Sequence, residues 1–158
     1  MFKKLVNKKR LNNEKGLTLI ELLAVIVILA IIAAIAIPAI GNIIENTRYN
    51  AVKADAINVL NAANLYFTDE PDKTEVTVKT LLDEKYLDTA GKIPEGNTNK
   101  VTKEKFNTLT TSAIVYTNSK TVTFDGATID SINGDKQKGS KESNKTIPSA
   151  PSSSGTSN

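Results

Sequence analysis

The pattern of apolar and polar residues changes along the chain, and its first long segment predicts a membrane helix. From Gly16 to Ile31 the sequence reads GLTLIELLAVIVILAI, and no charged residue occurs between Leu22 and Ile40. A helix needs about 20 consecutive apolar residues to cross a bilayer. The segment is therefore predicted to be a transmembrane helix that is apolar on all sides.

Beyond Pro38 the apolar positions become one-sided. They recur at three- and four-residue steps, at Tyr49, Val52, Ala56, Val59, Leu60, Ala63 and Phe67. This spacing predicts an amphipathic continuation of the same helix. A single helix from Leu17 to about Phe67 would be about 75 Å long, so its second half is expected to support a head outside the membrane. Pro38 is predicted to kink the helix without ending it, because both of its flanks are strongly helical.

The segment after the long helix predicts a small head. Thr68–Asp72 contains three acids and ends the helix; a calcium site is the alternative, but an acidic turn is favoured because the ligand spacing is missing. Thr77 is predicted to cap a short helix whose apolar residues are Val78, Leu81, Leu82, Tyr86 and Leu87. The polar residues 90–105 are expected to form a loop.

Strand signals follow this loop. Residues 112–117 and 120–125 are rich in β-branched and aromatic residues and are separated by Asn118-Ser119, which predicts a hairpin. A third short strand is predicted at 127–131, completing an antiparallel meander across the helix. The predicted fold class is α+β, with a long N-terminal helix and a small antiparallel β-sheet head.

The fold is predicted to end at Asn133-Gly134. Residues 134–158 contain one large apolar residue, Ile147, and are expected to be disordered because they bury too little surface. Their lysines at 136, 138, 141 and 145 leave open a contact with DNA or an anionic surface, although a solvated tail is the favoured interpretation.

The net charge of +3 comes from the residues before the apolar segment. Residues 1–16 hold six basic residues and one acid, and subtracting these from totals of 20 and 17 leaves 14 and 16, a net charge of −2. Positive charge beside an apolar span holds that end in the cytoplasm. The basic leader therefore indicates membrane topology, and general binding of polyanions is not expected.

Two residue types are absent from the chain. Without cysteine it forms no disulfide and no thiolate metal site. Without histidine it lacks the usual general base and the commonest metal ligand. No enzyme activity, cofactor or metal is expected.

Glu21 is the most informative single residue. A carboxylate inside a membrane-length segment costs free energy and indicates a function that supplies a partner. A cleaved secretory signal has an apolar region of about 7–15 residues, shorter than this one. In a plain signal anchor, the carboxylate of Glu21 would cost free energy in the membrane, and no partner would offset that cost. Both alternatives are therefore disfavoured.

The residues from Lys15 to Glu21, followed by an all-apolar helix, resemble the signature of type IV prepilins. The resemblance implies that a prepilin peptidase cuts between Gly16 and Leu17 and that Leu17 is then N-methylated. It also implies that Glu21 acts in assembly and that Pro38 is the helix-kinking proline. The absence of cysteine resembles the pilins of Gram-positive bacteria.

The resemblance implies four segments: a leader at 1–16, a transmembrane and assembly helix at 17–41, a pilin head at 42–133 and the tail at 134–158. The implied partners are other copies in a helical filament, the peptidase and methyltransferase, and an assembly platform with its ATPase. The subunit would lie in the cell membrane with its N-terminus in the cytoplasm, and then in a surface pilus. Its α-amine would neutralise Glu21 of a neighbouring copy.

Two classes of function remain open. The first is a structural subunit of a type IV pilus or of a related competence or secretion pseudopilus. The alternative is a monomeric, membrane-anchored surface protein that binds a ligand through its head.

Overall fold

The computed structural model describes residues 14–148, with side chains from Thr18 onward. Most of the predicted leader and the last ten residues of the predicted tail lie outside the described residues. The described chain falls into two units that divide after Gly41.

The first unit consists of the N-terminal part of helix α1, which runs over Glu14–Asp69. From Thr18 to Gly41 every side chain is exposed except that of Ala36, which is half-buried. From Thr18 on, α1 is the one described helix long and apolar enough to cross a membrane. This long helix confirms the central element of the predicted fold.

The second unit contains the rest of α1 and the head. One face of the helix is buried, and it includes all seven residues of the predicted stripe. The hydrophobic core forms between this face and residues of the head, among them Leu81, Leu109, Phe124 and Ile132. The amphipathic half of the helix therefore anchors the head, as its spacing predicts.

A short helix and a first sheet follow α1. Strand β1 (Glu75–Thr77) leads into helix α2 (Val78–Asp83), and Thr77 caps the helix by accepting from the Thr80 backbone N–H at 3.1 Å. Strands β2 (Lys100–Thr102) and β3 (Thr108–Thr110) complete an antiparallel sheet in the order β1-β2-β3. The prediction of a loop over 90–105 is wrong at β2, whose central residue Val101 is buried between its neighbours in the sheet.

The second sheet contains the predicted hairpin. Strands β4 (Ile114–Thr117) and β5 (Lys120–Phe124) pair antiparallel. The third strand, β6 (Asn144–Ile147), runs parallel to β5. The head therefore holds one antiparallel and one mixed sheet within the predicted α+β class.

The predicted strand at 127–131 is wrong, because helix α3 occupies Ile129–Gly134. Thr128 caps this helix by accepting from the Ser131 backbone N–H at 3.1 Å, and the Ser131 hydroxyl accepts from the Thr128 N–H at 3.0 Å. This reciprocal capping satisfies two backbone donors and stabilises the helical conformation. Only Ala127 makes a β-bridge, to Leu109.

The prediction that residues 134–158 are disordered is wrong for residues 135–148. Ile147 is fully buried beside Phe124, and Lys145 is only 2% exposed. The composition of the segment is polar, but one buried isoleucine and a full strand of backbone hydrogen bonds order it. The fold continues well past Gly134.

Candidate functional site

The predicted processing site lies in the first turn of the described part of α1. The backbone of Gly16 and Leu17 is helical there. Their side chains lie outside the described ones, so cleavage after Gly16 and methylation of Leu17 stay predictions.

Glu21 is exposed on α1, one turn further along. Among side chains from Thr18 to Pro148, no cation forms a salt bridge with it. The following turn places Ala24 and Val25 beside it, so its surroundings toward the C-terminus are apolar. Within a membrane, a cationic partner for this carboxylate would have to come from beyond the side chains that the structure describes.

The helix around Glu21 presents a continuous apolar surface. Its large exposed residues are Leu19, Ile20, Leu22, Leu23, Val25, Ile26, Val27, Ile28, Leu29, Ile31, Ile32, Ile35, Ile37 and Ile40. Exposed apolar surface on this scale marks contact with a membrane or another protein. Pro38 lies inside α1 and does not end it. A kink at Pro38 stays a prediction.

A second cluster joins the C-terminal segment to α1 within the head. We call residues 135–147 the C-terminal clamp. The Tyr49 hydroxyl donates to Oδ2 of Asp135 at 2.8 Å, and Lys53 Nζ donates to the same oxygen at 3.2 Å. Gln137 Nε2 donates to Oδ1 at 2.8 Å. The Asp135 carboxylate, 2% exposed, is thus hydrogen-bonded through both oxygens.

These contacts set two pKa values. Burial acts to raise the pKa of Asp135, but the donors from Tyr49, Gln137 and Lys53 outweigh it and hold this pKa below its ordinary value. Burial, together with the Asp135 carboxylate, raises the pKa of the Tyr49 hydroxyl far above its ordinary value. The pair is therefore stable with an ionised aspartate and a neutral tyrosine.

Lys145 is a buried lysine on β6. Its ammonium donates to the backbone carbonyls of Lys141 and Glu142. It also lies 5.7 Å from the ring centroid of Tyr49 and 5.8 Å from that of Tyr116. Burial lowers the pKa of this ammonium. Carbonyl oxygens and aromatic faces thus hold the cation inside the clamp.

Gly139 brings the clamp against the helix backbone. A Cβ atom at this position would lie 2.5 Å from the Glu45 carbonyl oxygen and 2.6 Å from Cβ of Tyr49. The Tyr116 hydroxyl donates to the Gly139 carbonyl at 2.9 Å. Lys120 reaches Glu45 at 2.6 Å, adding an ion pair at the same end. Only a residue without a side chain fits this contact.

Comparison with protein families finds a match for the N-terminal segment. Residues 11–37 match the family described as the prokaryotic N-terminal methylation motif. The match covers the leader junction, Glu21 and the apolar part of α1. This motif is that of the type IV prepilin leader, so the match supports a type IV prepilin. No curated protein and no solved structure matches the chain.

The motif supports a precursor of a pilin or pseudopilin, a class of structural proteins. The apolar N-terminal helix of the chain fits membrane anchoring. The two N-terminal features named from sequence, the processing junction and Glu21, both lie in the matched region.

The sequence pattern did not predict the C-terminal clamp. Asp135, Gly139 and Lys145 lie in a segment of serine, lysine and glycine, and no local pattern distinguishes a buried lysine from a solvated one. One feature of the sequence did indicate the clamp. Ile147 is an isolated large apolar residue in a polar segment, which indicates that it is buried and holds the segment against the head. Phe106, outside the clamp, is a second signal, because an aromatic residue that follows Lys103, Glu104 and Lys105 is unusual for a solvated loop.

Proposed function

We propose that the mature protein is a structural subunit of a type IV pilus or a related pseudopilus. Prepilin peptidase would remove residues 1–16, Leu17 would be N-methylated, and the subunit would polymerise through residues 17–41. The observation that carries the proposal is the uncovered apolar surface of α1 with Glu21 as its one carboxylate from Thr18 to Gly41. Membrane lipid can cover that surface in the monomer, and neighbouring helices can cover it in a filament.

Charge supplies a reason for ordered assembly. Cleavage after Gly16 creates an α-amine at Leu17, and a carboxylate at Glu21 is costly alone in an apolar environment. A close pair of opposite charges attracts strongly where the dielectric constant is low. The amine of an incoming subunit would neutralise Glu21 of a neighbour and fix the axial position of each helix.

The part of α1 within the head adds a second argument. Opposite its buried face, one exposed stripe contains no charged residue: Ile43, Thr47, Asn50, Ala54, Asn58, Asn61 and Leu65. Burying a charge is expensive unless it is paired, so an uncharged stripe is suited to packing against another helix. This stripe supports contacts between copies beyond the membrane segment.

The proposal implies a set of partners and locations. Before assembly the subunit would lie in the cell membrane with its N-terminus in the cytoplasm, and afterwards in a surface filament. The peptidase and methyltransferase, an assembly platform and its ATPase would act on it. The protein would be structural, with no reaction of its own.

The test is replacement of Glu21 in cells in which this protein is the sole major subunit. Glu21→Ala and Glu21→Gln are expected to accumulate in the membrane, to be cut after Gly16 and to form no filaments. Glu21→Asp is the matched control, because it keeps the charge and should retain part of the assembly. Sheared filaments are quantified by peptide identification. Normal filament yield from either uncharged variant would refute the charge-pair mechanism.

The alternative, a monomeric anchored surface protein, makes a different prediction for the wild type. It requires no cut after Gly16 and yields no sheared filaments. Recovery of filaments built from the processed chain therefore distinguishes the two functions.

A further inference from the structure

The head contains a cleft lined by residues other than those proposed above for assembly. It has a volume of about 480 Å³ and lies between α1, the β2–β3 connection and the start of α3. Buried Leu60 and half-buried Ile129 contribute apolar walls. Small-molecule sites are typically concave clefts of about 300–1,000 Å³ with apolar walls and a few polar groups. The size and the walls of this cleft meet that description.

Phe106 gives the cleft an exposed aromatic surface. Its side chain is 61% exposed, although most of the large apolar residues of the head are buried. Lys105 Nζ lies 5.6 Å from the ring centroid. An aromatic ring at the rim of a cleft can stack on a flat apolar face of a ligand.

Two asparagine side chains form the polar part of the wall. Asn107 Nδ2 donates to Oδ1 of Asn64, and Asn107 Oδ1 accepts from the Glu104 backbone N–H at 3.3 Å. Within residues 18–148, no group accepts a hydrogen bond from the Asn64 amide NH₂, which therefore remains available as a donor. The exposed carboxylate of Asp130 lines the same cleft and offers acceptors.

The charges of the cleft walls are balanced. Lys103 and Lys105 face Glu104 and Asp130. The Lys103 ammonium already donates one of its three hydrogens to the Pro71 carbonyl at 2.6 Å, which turns part of its donor capacity away from the cleft. Single-stranded nucleic acids are bound by positively charged grooves with aromatic residues. This cleft has the aromatic residue without the positive field.

We propose that the cleft binds a neutral sugar. The apolar C–H face of a pyranose ring would stack on Phe106, and its hydroxyls would accept from the Asn64 amide and donate to the Asp130 carboxylate. A polyhydroxylated, uncharged ligand matches an aromatic ring, an amide donor and a carboxylate acceptor without needing net charge. The proposal does not depend on filament assembly.

The test is saturation-transfer NMR on the full chain in dodecylphosphocholine micelles, because sugar-based detergents would occupy the site. The probes are maltotriose, lactose and triacetylchitotriose, with an oligodeoxythymidylate as the polyanion. At least one neutral sugar should show saturation transfer, and Phe106→Ala and Asn64→Leu should each weaken its binding at least tenfold. Val115→Ala, which removes an exposed apolar side chain outside the cleft, should leave binding unchanged.

Tyrosine near-ultraviolet circular dichroism of each variant verifies that the head remains folded. Absence of binding by all three sugars, or binding that survives both cleft substitutions, would overturn the proposal. Binding of the oligodeoxythymidylate that is lost in Phe106→Ala, without sugar binding, would also overturn it and assign the cleft to nucleic acid.

Discussion

At the scale of single residues, Gly139 packs directly against the backbone of the long helix. Replacing it with alanine would place a methyl group against the helix backbone at Glu45. Forced overpacking of this kind costs about 1–3 kcal/mol, and we expect the upper end because a backbone atom cannot rotate away. All four tyrosines lie in the second unit, so their near-ultraviolet circular dichroism reports unfolding of the head in the full chain.

Gly134→Ala is the matched control, since a Cβ atom there meets no other atom within 4 Å. It should leave the free energy of unfolding nearly unchanged. Equal effects of the two substitutions would contradict the close contact at Gly139.

The Asp135 carboxylate should make the stability of the head depend on pH. Because its pKa is lowered in the folded state, its contribution is present at neutral pH. That contribution is lost as pH falls below about 4, where the unfolded carboxylate takes up a proton first. Asp135→Asn should therefore destabilise the head by about 3 kcal/mol at pH 7, because Lys53 loses its charge partner.

The difference between wild type and Asp135→Asn should narrow toward pH 2–3 in urea titrations. Asp88→Asn serves as the control, because Asp88 is exposed and no hydrogen bond or ion pair to its side chain is found within the described residues. A difference that stays constant with pH would show that Asp135 acts by packing alone.

At the scale of elements, the long helix and the β4–β5 hairpin were predictable because their patterns span many residues. The stripe from Tyr49 to Phe67 repeats over several turns, so tertiary context could not easily override it. Strands β1, β2 and β3 each hold only three residues and bury only one, at Val76, Val101 and Leu109. A single buried position in each strand gives no periodicity, so the sequence pattern could not predict this sheet.

The clamp was unpredictable for a different reason. Its contacts join residues far apart in sequence, such as the Ser140 N–H and Asn46 Oδ1, 94 positions away. A local composition rich in serine and lysine predicts how the segment behaves in isolation, and it contains no information about these distant contacts. The Gly16–Glu21 signature could be recognised from the sequence because all of its residues are consecutive.

Removal of the clamp tests whether it is an integral element. A chain ending at Gly134 loses β6 and buried Ile147, and substitutions that truncate a buried isoleucine already cost about 2–5 kcal/mol. We expect this truncation to abolish the tyrosine near-ultraviolet signal in full. A chain ending at Pro148 keeps every described residue and should retain the signal. A folded head in the shorter chain would show that β6 is dispensable.

At the scale of the whole molecule, processing should precede any function. We expect N-terminal mass spectrometry of the cell-associated protein to find a methylated N-terminus at Leu17. The physical reason is the abrupt boundary at Gly16 between a basic leader and an apolar helix. An intact Met1 would show an ordinary anchor. An N-terminus near Ala36 or Ala39, where small residues resemble a signal-peptide cleavage site, would show a cleaved signal peptide.

The parallel pairing of β6 with β5 has a consequence for biosynthesis. The apolar helix emerges from the ribosome first, whereas β6 is the last strand of the described chain to be made. Domains rich in contacts between distant residues fold slowly, because the entropy of loop closure is lost before the contacts that offset this loss have formed. The helix can therefore enter the bilayer long before the head has its final strand. Until translation passes Ile147, the edge of β5 and the Tyr49 side of the helix remain open, and this exposed surface makes the nascent head prone to aggregation.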